Sequence, residues 1–176
     1  MKRWFLVLVG TAVLLSIAAV RSSPAEPTGT ALLRLPRATG TGQLSLFGHI
    51  KALAKKGSRY ELRFDPAFVL TGVTASRAAV EDKVLRPGEP VPNDYYIRDE
   101  THKLLTYLVP AGARVTVLVN PGTGPRPATI TVAELSQIVK GRNPKGRPLY
   151  DTANGLGYWA LVDADTVRSL DQQYQP

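Results

Sequence analysis

The stretch that most constrains the fold is residues 104–119, where two runs rich in Val, Leu, Tyr and Thr flank the break Pro110-Ala111-Gly112-Ala113. Such runs separated by turn-forming residues predict a central β-hairpin. Both faces of each run are largely apolar, which favours strands inside a barrel or sandwich over a sheet with one wet face.

The remaining patterns predict a mostly β domain. Strands are expected over residues 44–53, 60–64, 95–98, 129–132 and 158–162. Asp65-Pro66 is expected to end the second strand, and the polar residues 165–175 to close the chain. Two short helices are predicted, one over residues 74–80 with Thr74 at its N-cap, the other beginning at the capping-box sequence 131–134. With 15 Gly and 14 Pro, the expected fold is a small β-barrel, OB-like among the options, or a β-sandwich of six to seven short strands.

The N-terminus has the organisation of an export signal. Lys2 and Arg3 precede an apolar run over residues 4–20, so residues 1–22 are interpreted as the signal, with cleavage favoured over a retained anchor. Residues 23–42, rich in Pro, Gly and Thr, are interpreted as a tether. Residues 43–176 then form the globular domain, placed outside the cytoplasm, either secreted or held at the outer face of the membrane.

Charge and cysteine content narrow the function classes. The chain has no cysteine and a formal net charge of +8. Disulfides, thiolate metal sites and thiol catalysis are therefore excluded. The basic excess favours an anionic partner, which we expect to be a cell-wall polymer or lipid headgroups. No specific nucleic acid and no cofactor are expected, the membrane is involved only through residues 4–20 if they are retained, and the domain is expected to be a monomer.

The densest basic segment is the loop after the second predicted helix, and it is the first candidate site. It contains Lys140, Arg142, Lys145 and Arg147 with two glycines between them. Arginine can hold phosphate or carboxylate bidentately, and glycine lets backbone amides approach an anion. The alternative is structural, because basic side chains are favoured at a helix C-terminus anyway.

Tyr95 and Tyr96 form an aromatic pair that could stack on a sugar or peptide. Neighbours on a strand point oppositely, so the alternative places one ring in the core and the other at the surface. His49 is expected to be a half-buried strand residue. His102 lies with two carboxylates in a predicted turn, a weak metal signal, so no metal site is expected.

An enzyme is the second hypothesis. No nucleophile elbow or metalloprotease motif is present, but scattered carboxylates leave no local motif. Asp163 and Asp165 would share one side if the last strand continued, and a carboxylate-based hydrolase of envelope carbohydrate could also use Asp65 or Asp94. A third hypothesis is a structural or partner-docking module, marked by an apolar patch or open sheet edge.

Five segments together resemble uncharacterised exported proteins of high-GC Gram-positive, actinobacterial-type bacteria. They are residues 47–50, 62–66, 88–94, 131–135 and 165–174. The resemblance implies export and brings no assigned activity. The leading hypothesis is therefore an exported module that binds an anionic envelope component.

Overall fold

The computed structural model describes residues 40–99, 103–150 and 157–174. The predicted signal, and the tether up to residue 39, lie outside the described residues. The strands are β1 (Gln43–Lys56), β2 (Arg59–Thr71), β3 (Tyr95–Arg98), β4 (Leu105–Pro110), β5 (Arg114–Val119), β6 (Arg126–Ile130), β7 (Tyr158–Asp163) and β8 (Thr166–Gln172). The helices are α1 (Gly72–Glu81) and α2 (Val132–Val139), and Pro92–Asp94 forms a 3₁₀ turn.

Five of these strands close into a barrel. β1 pairs with β2, β2 with β4, β4 with β8, β8 with β7, and β7 returns to β1. All of these pairs are antiparallel except β4 with β8. This order, with α2 between the third and fourth barrel strands, is that of the OB-fold. The prediction of a mostly β small barrel with short helices is confirmed, and the sandwich alternative is not realised.

The core fills the barrel and continues to α2. Leu62 and Phe64 of β2, Val109 of β4 and Leu170 of β8 are fully buried. Leu135 and Ile138 of α2 belong to the same cluster. The Ser136 hydroxyl donates to the Leu53 carbonyl at 2.7 Å. Because that hydroxyl and that carbonyl are both buried, the bond holds α2 against β1 without leaving a polar group unsatisfied.

The predicted central hairpin is wrong. β4 and β5 do not pair with each other; both run parallel to β8, with Leu108 opposite Thr166 and Arg114 opposite Ser169. From Leu108 to Arg114 the chain moves six residues, while its partner β8 moves only three, from Thr166 to Ser169. Residues 111–113 are therefore an irregular segment between two strands that run in the same direction. Apolar character on both faces marks buried strands, but it does not specify whether the chain reverses between them.

Two further strand predictions are corrected. β2 does not end at Asp65-Pro66 but continues to Thr71. On one edge, β2 pairs with β4 as far as Phe64 and with β3 from Phe68 onward. Pro66 lies between these two pairings, where that edge has no strand partner and the missing N–H of proline is tolerated.

The second correction concerns the end of the chain. Residues 166–172 are the barrel strand β8 and not a polar tail, because their buried members Val167, Ser169 and Leu170 face the barrel or its neighbouring strands. Both predicted helices are present. α1 begins earlier than expected, with Thr71 as its N-cap residue in place of Thr74.

Gly48 marks a close approach of β1 to β2 and generates a test of the fold. A Cβ atom at this position would lie 2.1 Å from the Asp65 carbonyl oxygen, a clash with backbone that side-chain rotation cannot relieve. We expect Gly48→Ala to lower the free energy of unfolding by about 2 to 3 kcal/mol. Urea unfolding followed by circular dichroism measures it.

Gly112→Ala is the matched control. Its Cβ would meet nothing within 4 Å, so its unfolding free energy is expected to stay within about 0.5 kcal/mol of the parent. Equal stability of the two variants would contradict the close approach.

Candidate functional site: a basic patch beside helix α2

The predicted basic loop is attached to the end of β5. The Asn120 amide donates to the Pro148 carbonyl at 2.7 Å, and the Tyr150 amide donates to the Leu118 carbonyl at 2.9 Å. Leu149 also pairs with Val119 in an isolated antiparallel bridge. These contacts place the loop directly beside the sheet that contains β5 and β6.

Two of the four predicted cations are bound to a buried carboxylate. Arg147 Nε donates to Glu134 Oε1 at 2.5 Å, and Lys145 Nζ lies 2.9 Å from Glu134 Oε2. The Glu134 side chain is only 3% exposed. The hydrogen bond from Arg147 lowers the pKa of Glu134 below its ordinary value, against the opposing effect of burial, and Lys145 lowers the pKa further. A buried carboxylate needs such partners to remain charged.

Glu134 has two structural roles, and the capping-box pattern predicts only the one at the start of α2. The Thr131 hydroxyl accepts from the Glu134 amide at 3.1 Å, which confirms the predicted N-cap of α2. The Glu134 side chain does not complete the capping box but forms ion pairs with Lys145 and Arg147. It thereby joins the first turn of α2 to the loop that follows the helix.

Positive charge remains in excess after this pairing. Arg142 Nη1 donates to the neutral amide of Gln137 at 3.2 Å. Lys140 is exposed, and Lys145 is 58% exposed in its side chain despite its ion pair. The predicted anion-binding loop thus keeps a net positive charge.

A fifth cation, Arg126, joins the loop through the β5–β6 pairing, and sequence patterns did not single it out. Val119 pairs with Arg126 on one side and with Leu149 on the other. Two strand spacings, about 10 Å, therefore separate the backbones of Arg126 and Leu149. We name as the basic patch the set Arg126, Lys140, Arg142, Lys145 and Arg147.

Tyr95 and Tyr96 lie on β3, which contributes no residue to the basic patch. They point to opposite faces, as expected for neighbours on a strand. The Tyr96 hydroxyl donates to Asp82 at 3.0 Å. Tyr95 instead lines a cavity with Tyr174; burial raises the pKa of its phenol and Tyr174 raises it further. The two rings therefore do not form one stacking platform.

The carboxylates proposed for a hydrolase have separate surroundings. Asp65 is buried and pairs with Lys51 at 3.0 Å. Asp163 pairs with Arg168 at 2.9 Å, and Asp94 lies beside α1. Asp163 and Asp165 do not alternate along a strand, since β7 ends at Asp163 and Ala164 turns the chain with a φ of 54°. The strand does not continue past Asp163, so the condition for placing both carboxylates on one side is not met.

The described histidine, His49, is not part of a metal-binding cluster. His49 is partly buried in β1, with its ring 6.1 Å from that of Phe47 in a T-shaped arrangement. His102 lies outside the described residues. Within residues 40–99, 103–150 and 157–174, no three His, Asp or Glu side chains are grouped so as to hold a metal ion. No helix in these ranges has the length and apolar character to cross a membrane.

Comparison with known proteins adds no relative. No protein-family model, no curated protein and no solved structure matches the chain. The resemblance to exported actinobacterial-type proteins therefore stays a prediction.

The Glu134 contacts predict a pH dependence. A lowered carboxylate pKa stabilises the fold above its ordinary value of 4.5, and this contribution is lost as the pH falls through the lowered pKa. We expect the urea midpoint to fall as the pH drops from about 5 to 3. Glu134→Gln, which cannot titrate, should lose less over the same range. Parallel curves for parent and variant would contradict the assigned role.

Proposed function

We propose that this protein is an exported binding module that holds an anionic polymer of the cell envelope against the basic patch. The supporting observation is charge: the patch has five cations, and one carboxylate, Glu134, pairs with two of them. The surplus is a property of this half of the chain, since residues 103–150 contain seven Lys or Arg and one acidic residue.

The chemistry of the patch suits a repeating anion such as a phosphodiester. Arg126 and Arg142 provide planar guanidinium groups that can grip phosphate oxygens in pairs. Lys140 and Lys145 provide point charges on flexible stems. An elongated polymer would meet several of these groups at once, and each would contribute modestly because all are solvent-exposed and screened by salt.

The barrel supplies the rigidity that such a surface needs. The β5–β6 pair and the Glu134 ion pairs position the patch on the sheet and on α2. A pre-organised surface loses less conformational entropy on binding than a flexible tail with the same charge. OB-type barrels commonly bind oligonucleotides and oligosaccharides, and this analogy of architecture supports an extended ligand.

The two alternatives have weaker support. A hydrolase would need two carboxylates across one cleft, whereas Asp65 and Asp163 each have a cation partner. A docking module would use exposed apolar residues, and the large ones in the described ranges are Leu44, Phe68, Val73 and Val84. Export itself is proposed from residues 1–22. If residues 4–20 are retained, the patch would work close to the membrane.

The proposal predicts that charge position matters more than total charge. We expect the triple variant Arg126→Gln, Lys140→Gln, Arg142→Gln to bind a polyphosphate matrix about ten-fold more weakly and to elute at lower salt. Arg147 is left intact because its loss would uncover Glu134. Salt-gradient elution and titration with soluble polyphosphate give the numbers.

The control removes the same number of charges elsewhere. Lys55→Gln, Lys56→Gln, Arg59→Gln changes three cations at the turn between β1 and β2, and it should retain most of the binding. Equal losses in both triples would mean nonspecific attraction and would overturn the assigned site. In the native host, release of the protein from the envelope by a salt wash is the expected result.

A further inference from the structure

The second half of β2 extends beyond the barrel and forms a two-stranded ribbon with β3. Phe68 pairs with Arg98 and Thr71 with Tyr95 at its two ends. α1 packs on the face that presents Phe68 and Leu70. A ribbon has two faces, and an apolar second face needs another cover.

That second face is only partly covered. Val69 stands opposite Ile97, and Thr71 stands opposite Tyr95; alternation along the strands puts these four side chains on the face away from α1. The chain end at Gln173 and Tyr174 lies across them and leaves a cavity of about 180 Å³. The cavity is lined by Val69, Thr71, Asn93, Asp94, Tyr95, Ile97, Gln173 and Tyr174.

The wall formed by the chain end is held in place by hydrogen bonds. The Trp159 indole N–H donates to Gln173 Oε1 at 2.8 Å, and Gln173 Nε2 donates to the Tyr174 carbonyl at 2.7 Å. The Gln173 amide also donates to the Gly157 carbonyl at 2.8 Å. The Tyr174 ring packs on that of Tyr150, with centroids 5.4 Å apart. The cavity is therefore preformed, which favours a small rigid ligand.

Two exposed residues of the cavity lining have strained backbone, and their exposure assigns them to its mouth. Asn93 and Asp94 both have a φ of 58°, the left-handed region that non-glycine residues seldom occupy. Such residues often mark ligand-binding positions, since the strain persists only where the surrounding structure imposes it. Asp94 is exposed and also lines the groove of about 690 Å³ beside α1. Its carboxylate makes no ion pair with another described residue.

We propose that the cavity binds a single aromatic ring whose attached ammonium group meets the Asp94 carboxylate at the mouth. A cavity of roughly 150 Å³ with apolar walls is known to hold benzene, so the volume fits one six-membered ring. The apolar walls are Val69 and Ile97, and the aromatic walls are Tyr95 and Tyr174. The ligand class is an aralkylamine, with any longer substituent leaving through the groove beside α1.

This site shares no residue with the basic patch. It lies on β2, β3 and the chain end, and it is proposed to bind a cation, where the patch is proposed to bind anions. The Arg126, Lys140 and Arg142 substitutions change none of its lining residues, so each proposal can fail alone.

The test compares three probes of equal ring size: benzylamine, benzyl alcohol and benzoate. Titrations of the full chain, followed by amide and side-chain NMR shifts, should show binding at Ile97 and Tyr95. Benzylamine is expected to bind about five-fold more tightly than benzyl alcohol, and benzoate more weakly than either. Absence of shifts at these residues with all three probes at millimolar concentration would overturn the proposal.

Two variants separate the ring from the charge. Ile97→Trp fills the cavity and should abolish binding of all three probes, whereas Leu44→Trp, at a β1 position that is 59% exposed, should leave binding unchanged. Asp94→Asn keeps a residue type that tolerates positive φ, and it should reduce benzylamine to the affinity of benzyl alcohol. Unchanged benzylamine affinity in Asp94→Asn would refute the role of the carboxylate, even if Ile97→Trp failed to fold.

Discussion

The parallel contact between β4 and β8 is the constraint on which the rest of the structure depends. Leu108 lies opposite Thr166, and its amide donates to the Asp165 carbonyl at 2.9 Å. Without this contact β2, β1, β7 and β8 would form an open sheet with exposed edges and an uncovered apolar face. With it, Val109 and Val167 become fully buried. The short β7–β8 turn places the Asp165 carbonyl where the third barrel strand passes.

Because the apolar side chains fill the barrel interior, charged side chains lie on its outer surface. The cations of the basic patch have two distinct roles. Arg147 and Lys145 keep Glu134 ionised in a nearly dry position and so fasten the loop to α2. Lys140, Arg142 and Arg126 form no ion pair with any carboxylate in the part of the chain that the structure describes, which makes them available to an external anion. The local sequence pointed to the loop because basic residues cluster there. It could not separate the two roles, since Glu134 meets Arg147 thirteen residues later only after the loop folds back.

The ribbon of β2 and β3 forms because β2 continues past the end of the barrel, and the cavity lies against this extension. Residues beyond Phe64 leave the β4 ladder, and Pro66 is tolerated at the vacated edge. α1 covers one face of the ribbon, and Gln173 and Tyr174 lie on the other. Tyr95 was foreseen as a candidate for stacking from its residue type alone. The opposing ring, Tyr174, could not be identified as its neighbour, because it follows 79 positions later in the sequence.

Local sequence determined the β-rich character, the helix that begins after Thr131 and the dense basic loop. These features depend on propensity, capping and composition within about ten residues. Tertiary structure alone decided that β4 and β5 continue along β8 instead of forming a hairpin, and that residues 166–172 complete the barrel. It also decided which cations neutralise Glu134. The physical reason is the same in each case: the deciding hydrogen bonds and ion pairs form between segments that only the closed barrel brings together.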